Sequence, residues 1–260
     1  MATTHPHTHT RSEFARTIDS NKISAFACFR WLQLAVSDFI RAPFISLIYG
    51  TLFSLVPIGI FYLVAVTENH LVILPATIAF ALIGPAFAAG LYDVAWELEK
   101  GHKPTIKHSL KSMFRNPVGE WGFAIMLTVI MIAWTRVAAI IHAFYPNMAE
   151  PTLEQLLPFL TVGTLVGAVL AAIVFTISAF TPQIMVERRV DIMTAVATSA
   201  KAVNKNAFAM LIWASLILVC IALGFLTGGF GFIILMPLLS FASWHGYIAV
   251  IKTKRARKYE

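Results

Sequence analysis

The sequence predicts an all-α polytopic membrane protein: six transmembrane helices in three hairpins, each hairpin preceded by an amphipathic helix on the cytoplasmic side. Three observations carry that reading. Apolar blocks of about 20 residues, the length that spans a bilayer, recur along the 260-residue chain. Charged residues make up 13% against 58% hydrophobic, roughly half the charge fraction of a soluble domain, and the mean hydropathy is +0.75. Finally, the basic residues gather in alternate connecting loops.

Taken in order, residues 1–22 read as a disordered cytoplasmic tail, polar and without the apolar core of a cleavable signal peptide. Its alternating His5, His7 and His9 could at most scavenge metal weakly. Over 24–41, Phe29, Leu32, Val36, Phe39 and Ile40 fall on one helical stripe, with Lys22, Arg30 and Arg41 suited to anionic headgroups. Pro43 then opens the first span, 43–66, at a position where its missing N–H costs nothing. A polar turn, Thr67–His70, leads to the second span, 71–96.

The following segment has an apolar stripe of Ile106, Leu110, Met113 and Phe114, with Lys103, Lys107, Lys111 and Arg115 at four-residue spacing on another face. That division suits a helix lying among headgroups. An Arg-Asn-Pro corner turns the chain into the third span, 121–142. The fourth span, 158–181, carries Gly163, Gly167 and Ala171 at a spacing that predicts a close-packing face. A third amphipathic stretch has Ile192, Val196 and Val203 on one side, with Lys201 and Lys205 nearby. Spans five (207–227) and six (230–251) are joined by Gly228-Gly229, and 252–260 forms a basic tail. The order of features repeats over 24–96, 101–182 and 190–251, which fits either a pseudo-threefold bundle or simple consecutive packing.

Five Lys/Arg precede the first span, five lie between spans two and three, four between four and five, and five follow the sixth; the three opposite loops hold none. Cytoplasmic loops are those that accumulate Lys and Arg, so both termini are expected in the cytoplasm. The net charge of +7 is thereby a topology signal. With no compact basic domain left over, nucleic acid is excluded as a partner.

The twentieth basic residue, Arg136, lies inside the third span, roughly 22 Å from its cytoplasmic start at 1.5 Å per residue. An intramembrane charge is a candidate functional group, although it can also snorkel outward as a structural pin. Asp93, with Glu97 and Glu99, stands at the cytoplasmic end of the second span, placed to pair with the lysine ladder. His245 lies in the inner part of the sixth, where Trp244 and Tyr247 suggest an interfacial belt. Haem ligation needs a second histidine at similar depth, and none is placed there. No catalytic motif, P-loop or metal-ligand spacing appears, so neither an enzyme, a cofactor nor a metal site is assigned. Cys28 and Cys220 sit at different depths and are not expected to pair.

At SLIYG (46–50), GPAFAAGLYDVAWELEKG (84–101), WTR (134–136), VDIMTAVATS (190–199) and ASWHGY (242–247), the chain resembles the bacterial multi-pass inner-membrane proteins grouped as domain of unknown function 2189. The likeness runs over about 24–251. The resemblance implies an inner-membrane location and interest in Arg136, Asp93 and His245, which match positions of the family pattern. Some members are labelled as cytochrome c oxidase subunits. This chain lacks the histidine array that haem and copper need, so an accessory role is the most the resemblance implies. The leading expectation is a non-enzymatic accessory or assembly component of a membrane complex, for instance a respiratory one. The alternative is a small-solute transporter or channel with Arg136 in its pathway.

Overall fold

The computed structural model describes residues 17–66, 84–114, 116–146, 152–188 and 190–252, and residues 67 and 73–83 by backbone alone. Ten helices are found there: α1 (Ala27–Arg41), α2 (Pro43–Thr67), α3 (Ile73–Glu99), α4 (Ile106–Ser112), α5 (Pro117–His142), α6 (Leu153–Ser178), α7 (Thr181–Glu187), α8 (Ile192–Lys205), α9 (Ala207–Leu226) and α10 (Phe232–Val250). Among the described residues there is no strand, only an isolated antiparallel bridge between Ser20 and Ile251.

Five stretches are long and apolar enough to cross a membrane: Pro43–Val66, Pro117–His142, Leu153–Glu187, Ala207–Leu226 and Phe232–Val250. The expected second span coincides with α3, a helix of 27 residues. Helix starts follow local chemistry. Asn116 accepts a hydrogen bond from Gly119 N at 3.1 Å with Pro117 in the first turn of α5, and Asp191 caps α8 by accepting from Thr194 N at 2.9 Å. Between α9 and α10 the chain reverses through Gly228 and Gly229, whose φ values of 63° and 94° lie in the left-handed region that glycine enters without cost.

The Thr194 hydroxyl and backbone N–H hold the Asp191 carboxyl below its ordinary value of 3.8. Its contribution to stability is therefore complete above that value and is lost as pH falls through the lower folded one. Asp191→Ala is expected to cost about 1 kcal/mol at neutral pH, read as a lowered thermal midpoint whose deficit shrinks in strong acid.

The short helices dock in a cyclic order. α1 packs on α10, α4 on α3, and α8 on α6 and α7, so each rests on the last long helix of the preceding unit, and the first unit closes onto the third. The register of this docking repeats. Ala35, Ser109 and Ser199 each stand seven residues before the corner residues Ala42, Asn116 and Asn206, and all three are fully buried. Asp38, Ser112 and Ala202, four before the same corners, are buried too. The long helices follow the cycle less completely: α10 packs on α2 and α3 on α5, whereas α6 and α9 are not a packed pair.

The core sits at the end of the molecule where these helices dock. Half of the apolar window of α10 is buried, and none of that of α6. Along α1 the buried residues are Cys28, Trp31, Ala35 and Asp38, while Phe29, Val36 and Ile40 of the predicted stripe are exposed. In α4, Ser109 and Ser112 turn inward and Leu110 and Phe114 outward. The protein-facing sides carry small and hydroxyl-bearing residues beside the larger Trp31, Met113 and Val203, and part of each apolar stripe on α1 and the α4 segment faces away. The predicted close-packing face on α6 is also looser than expected. A Cβ on Gly163 or Gly167 would meet only Ile141 at 3.7 Å or Trp134 at 3.5 Å, ordinary contact distances. The close approaches are elsewhere, at Gly50 against α10 and Gly90 against Tyr49.

The tail expected to be disordered through residue 22 is fixed from residue 17. Ile18 N donates to Thr198 Oγ1 at 3.0 Å, Asn21 N to Val250 O at 2.7 Å, and Lys252 N to Asp19 O at 3.0 Å. Asn206, at the α8–α9 corner, accepts from Ile23 N and donates to Asn21 O, each at 2.9 Å. Residues 1–16, with His5, His7 and His9, lie outside the described residues. Because Asn206 is buried, Asn206→Ala leaves strap groups unsatisfied. The expected cost is about 2 kcal/mol, checked by faster tryptic cleavage at Lys22 in detergent.

Candidate functional site: acid–histidine pairs at the docked end

Each of two docked short helices is joined to a long helix by a carboxylate and an imidazole. His245 Nε2 on α10 lies 2.7 Å from Asp38 Oδ2 on α1. Asp38 also faces Arg41 at 3.6 Å, and Arg41 donates to Leu98 O at 3.3 Å. On α4, His108 Nδ1 lies 2.7 Å from Asp93 Oδ2 on α3, whose side chain is 1% exposed. Buried charge is costly unless paired and hydrogen-bonded, and these contacts supply the pairing.

Between the two pairs lies an aromatic and polar layer. Trp244 is fully buried among Tyr92, Trp96 and Tyr247, with ring centroids at 6.2, 5.9 and 5.4 Å. Its indole N–H donates to Glu99 Oε2 at 3.2 Å, and the Tyr247 hydroxyl donates to Glu187 of α7. Tyr49 of α2 meets Ser109 Oγ at 2.7 Å, and Ser109 reaches Gly90 O at 2.7 Å. Trp244 and Tyr247, expected as an interfacial belt, are instead the centre of the core. Their N–H and O–H groups find carboxylate partners inside the protein, so they have no need of the water boundary. Cys28 and Cys220 are free, and burial pushes the Cys28 thiol up, away from thiolate reactivity.

Residues 73–187 match the family model described as "Predicted integral membrane protein (DUF2189)". This stretch is similar to DUF2189. It covers α3 to α7 and holds Asp93, His108 and Arg136, whereas Asp38 and His245 lie outside it, as do the SLIYG, VDIMTAVATS and ASWHGY motifs. No curated protein and no solved structure matches the chain.

Within the matched stretch, Asp93, Glu97 and His108 form a group whose ligand atoms all lie within 4.8 Å of one another. Glu97 is further held by Lys100 Nζ at 2.9 Å and His102 Nδ1 at 3.0 Å. Sequence reading assigned no ligand here, because the donors are split between two helices and no short motif contains them. The available signal was the i, i+4 spacing of Asp93 and Glu97 followed by His102 and His108 in the next polar segment. Lys103, Lys107 and Lys111 are exposed, and among the described residues none forms an ion pair with these acids. The lysines lie on the outward face of α4, while the acids face its docking side. Arg115 lies outside the described residues.

Arg136 stands apart from this cluster, on an exposed face of α5 beside exposed Val137 and Ile140. The loop acids Glu68 and Glu150 lie outside the described residues, and His142 at the end of α5 stacks on Tyr145, with centroids 5.6 Å apart. A cleft of about 450 Å³ opens at the α1–α2 corner, lined by Arg41, Phe44, Lys103, Thr105 and Ile106 among others. It combines two cations with apolar walls.

Proposed function

We propose that this integral membrane protein crosses a bacterial inner membrane six times, with both termini in the cytoplasm, and acts as a non-enzymatic accessory or assembly component of a larger membrane complex, for instance a respiratory one. The observation that carries this reading is the contrast within the molecule. One end is a rigid platform of docked helices tied by buried polar contacts, and α6 leaves it with no buried residue at all. Such a helix, packed on α5, α7 and α8, leaves much of its surface to lipid or to a partner's helices. Counting α3 as the sixth span is supported by charge: with five crossings, the basic segment before α2 would fall opposite the other three basic segments.

The short helices lie in the headgroup region on this reading, with exposed Phe29, Val36, Ile40, Leu110, Phe114 and Met193 toward the acyl chains. Anionic lipids then meet Lys103, Lys107, Lys111 and the Arg41–Lys103 cleft. Purification from native membranes in mild detergent, followed by mass spectrometry, tests the assembly role. A stoichiometric co-purifying membrane complex is the expected result, and a lone monomer overturns it.

The transporter reading with Arg136 in the pathway is the weaker one, because the exposed position of Arg136 favours a lipid-facing pin. Solute flux in liposomes that Arg136→Ala abolishes would reinstate it.

A further inference from the structure

The two acid–histidine pairs differ in the group that completes them. Beside Asp38 and His245 stands Arg41, at 3.6 Å from Asp38, so a cation compensates the carboxylate. Beside Asp93 and His108 stands Glu97, a second carboxylate, with all three ligand atoms within 4.8 Å. Two carboxylates and one imidazole converge there, a donor set that a dication satisfies, and Lys100 and His102 meet Glu97 at 2.9 and 3.0 Å. The geometry is close to a coordination shell. Ligands about 2.0–2.2 Å from a metal lie roughly 3–3.5 Å from one another, a spacing bracketed by the 2.7 Å His108–Asp93 contact and the 4.8 Å outer bound.

The burial is graded as a built site requires. Asp93 forms the floor at 1% side-chain exposure, and Glu97 and His108 form the rim at 14% and 45%. Asp93 and Glu97 are one turn apart on α3, so their carboxylates share a face. His102 and Lys100 hold the Glu97 carboxylate from outside, as outer partners orient a ligand in known metal centres. One imidazole with two carboxylates suits first-row divalent ions such as Zn²⁺, which takes nitrogen and oxygen donors, or the more oxygen-seeking Mn²⁺, whereas Ca²⁺ and Mg²⁺ prefer oxygen alone.

We propose that Asp93, Glu97 and His108 bind one first-row divalent metal ion, of the Zn²⁺ or Mn²⁺ kind, which clamps α4 to α3. α4 has only seven residues and gains from the ion an anchor that its short docking face supplies only in part. The inference is independent of the accessory role.

The test uses full-length protein in mild detergent carrying His5→Ala, His7→Ala and His9→Ala, which removes the histidine tail as a competing chelator. Titration with ZnCl₂ and with MnCl₂, followed by calorimetry and thermal unfolding, is expected to give one ion per chain and a raised thermal midpoint for at least one of the two metals. Glu97→Gln and His108→Ala should each weaken binding at least roughly tenfold and abolish the shift in midpoint. Glu154→Gln, a carboxylate change at the start of α6, should alter neither. Both rim positions are partly exposed, so size-exclusion profiles can confirm that these variants fold. No binding by the tail-substituted protein, or equal affinity in the rim variants, overturns the proposal.

Discussion

Gly50→Ala is expected to destabilise the protein by about 3 kcal/mol or more, at the upper end of overpacking costs. A Cβ at Gly50 would lie 1.8 Å from the carbonyl oxygen of Ile233 and 2.6 Å from its carbon. These are backbone atoms of α10, so no rotamer change relieves the clash. α10 itself has to move away from α2, and its other end carries Trp244, His245 and Tyr247 into the polar layer. The matched control is Gly59→Ala, also within α2, where nothing lies within 4 Å of the new methyl. There the reduced freedom of the unfolded chain leaves stability unchanged or raised by about 0.5 kcal/mol. Thermal or denaturant unfolding in one detergent separates the two; equal midpoints would refute the close packing of α2 on α10.

His245→Ala should cost about 3 kcal/mol, at the lower end for breaking a buried pair, because Arg41 remains near the stranded carboxylate. Asp38 and His245 are 7% and 15% exposed in their side chains, so water replaces the lost partner poorly. A double-mutant cycle with Asp38→Ala isolates the pair from the packing lost at each site. A coupling of about 1 kcal/mol or more is expected. Additive effects would mean that the two residues matter only for filling space.

The long helices were legible in the sequence because hydrocarbon length and corner residues write themselves directly into the residue pattern. The Pro43 and Arg-Asn-Pro corners fall where α2 and α5 begin, and the glycine pair marks the α9–α10 reversal. The docking faces were not legible by the same logic. In water the apolar stripe of a helix points to its neighbours, but beside a membrane the stripe has lipid as an equal alternative. Ser109, Ser112, Thr198 and Ser199 therefore face the protein, and Phe29, Ile40 and Phe114 do not.

The candidate site was half legible. Asp93 and His245 stood out as polar groups in apolar surroundings, yet their partners Asp38 and His108 had no distinguishing local pattern. Contacts spanning 207 residues, as between Asp38 and His245, leave no trace in spacing. Recurrence every four residues shows that Lys103, Lys107 and Lys111 share a face, not which way it points, and all three are exposed.

The closure of α1 on α10 also sets a clock for biogenesis. Asp38 leaves the ribosome 207 residues ahead of its partner, an interval of roughly 10–40 s at ordinary elongation rates of 5–20 residues per second. During that time α1 has no α10 to rest on, and the 17–23 strap has neither Asn206 nor the end of α10. α1 is thus made long before it is seated, and the emergence of α10, more than insertion of any earlier span, is the event that closes the docked end.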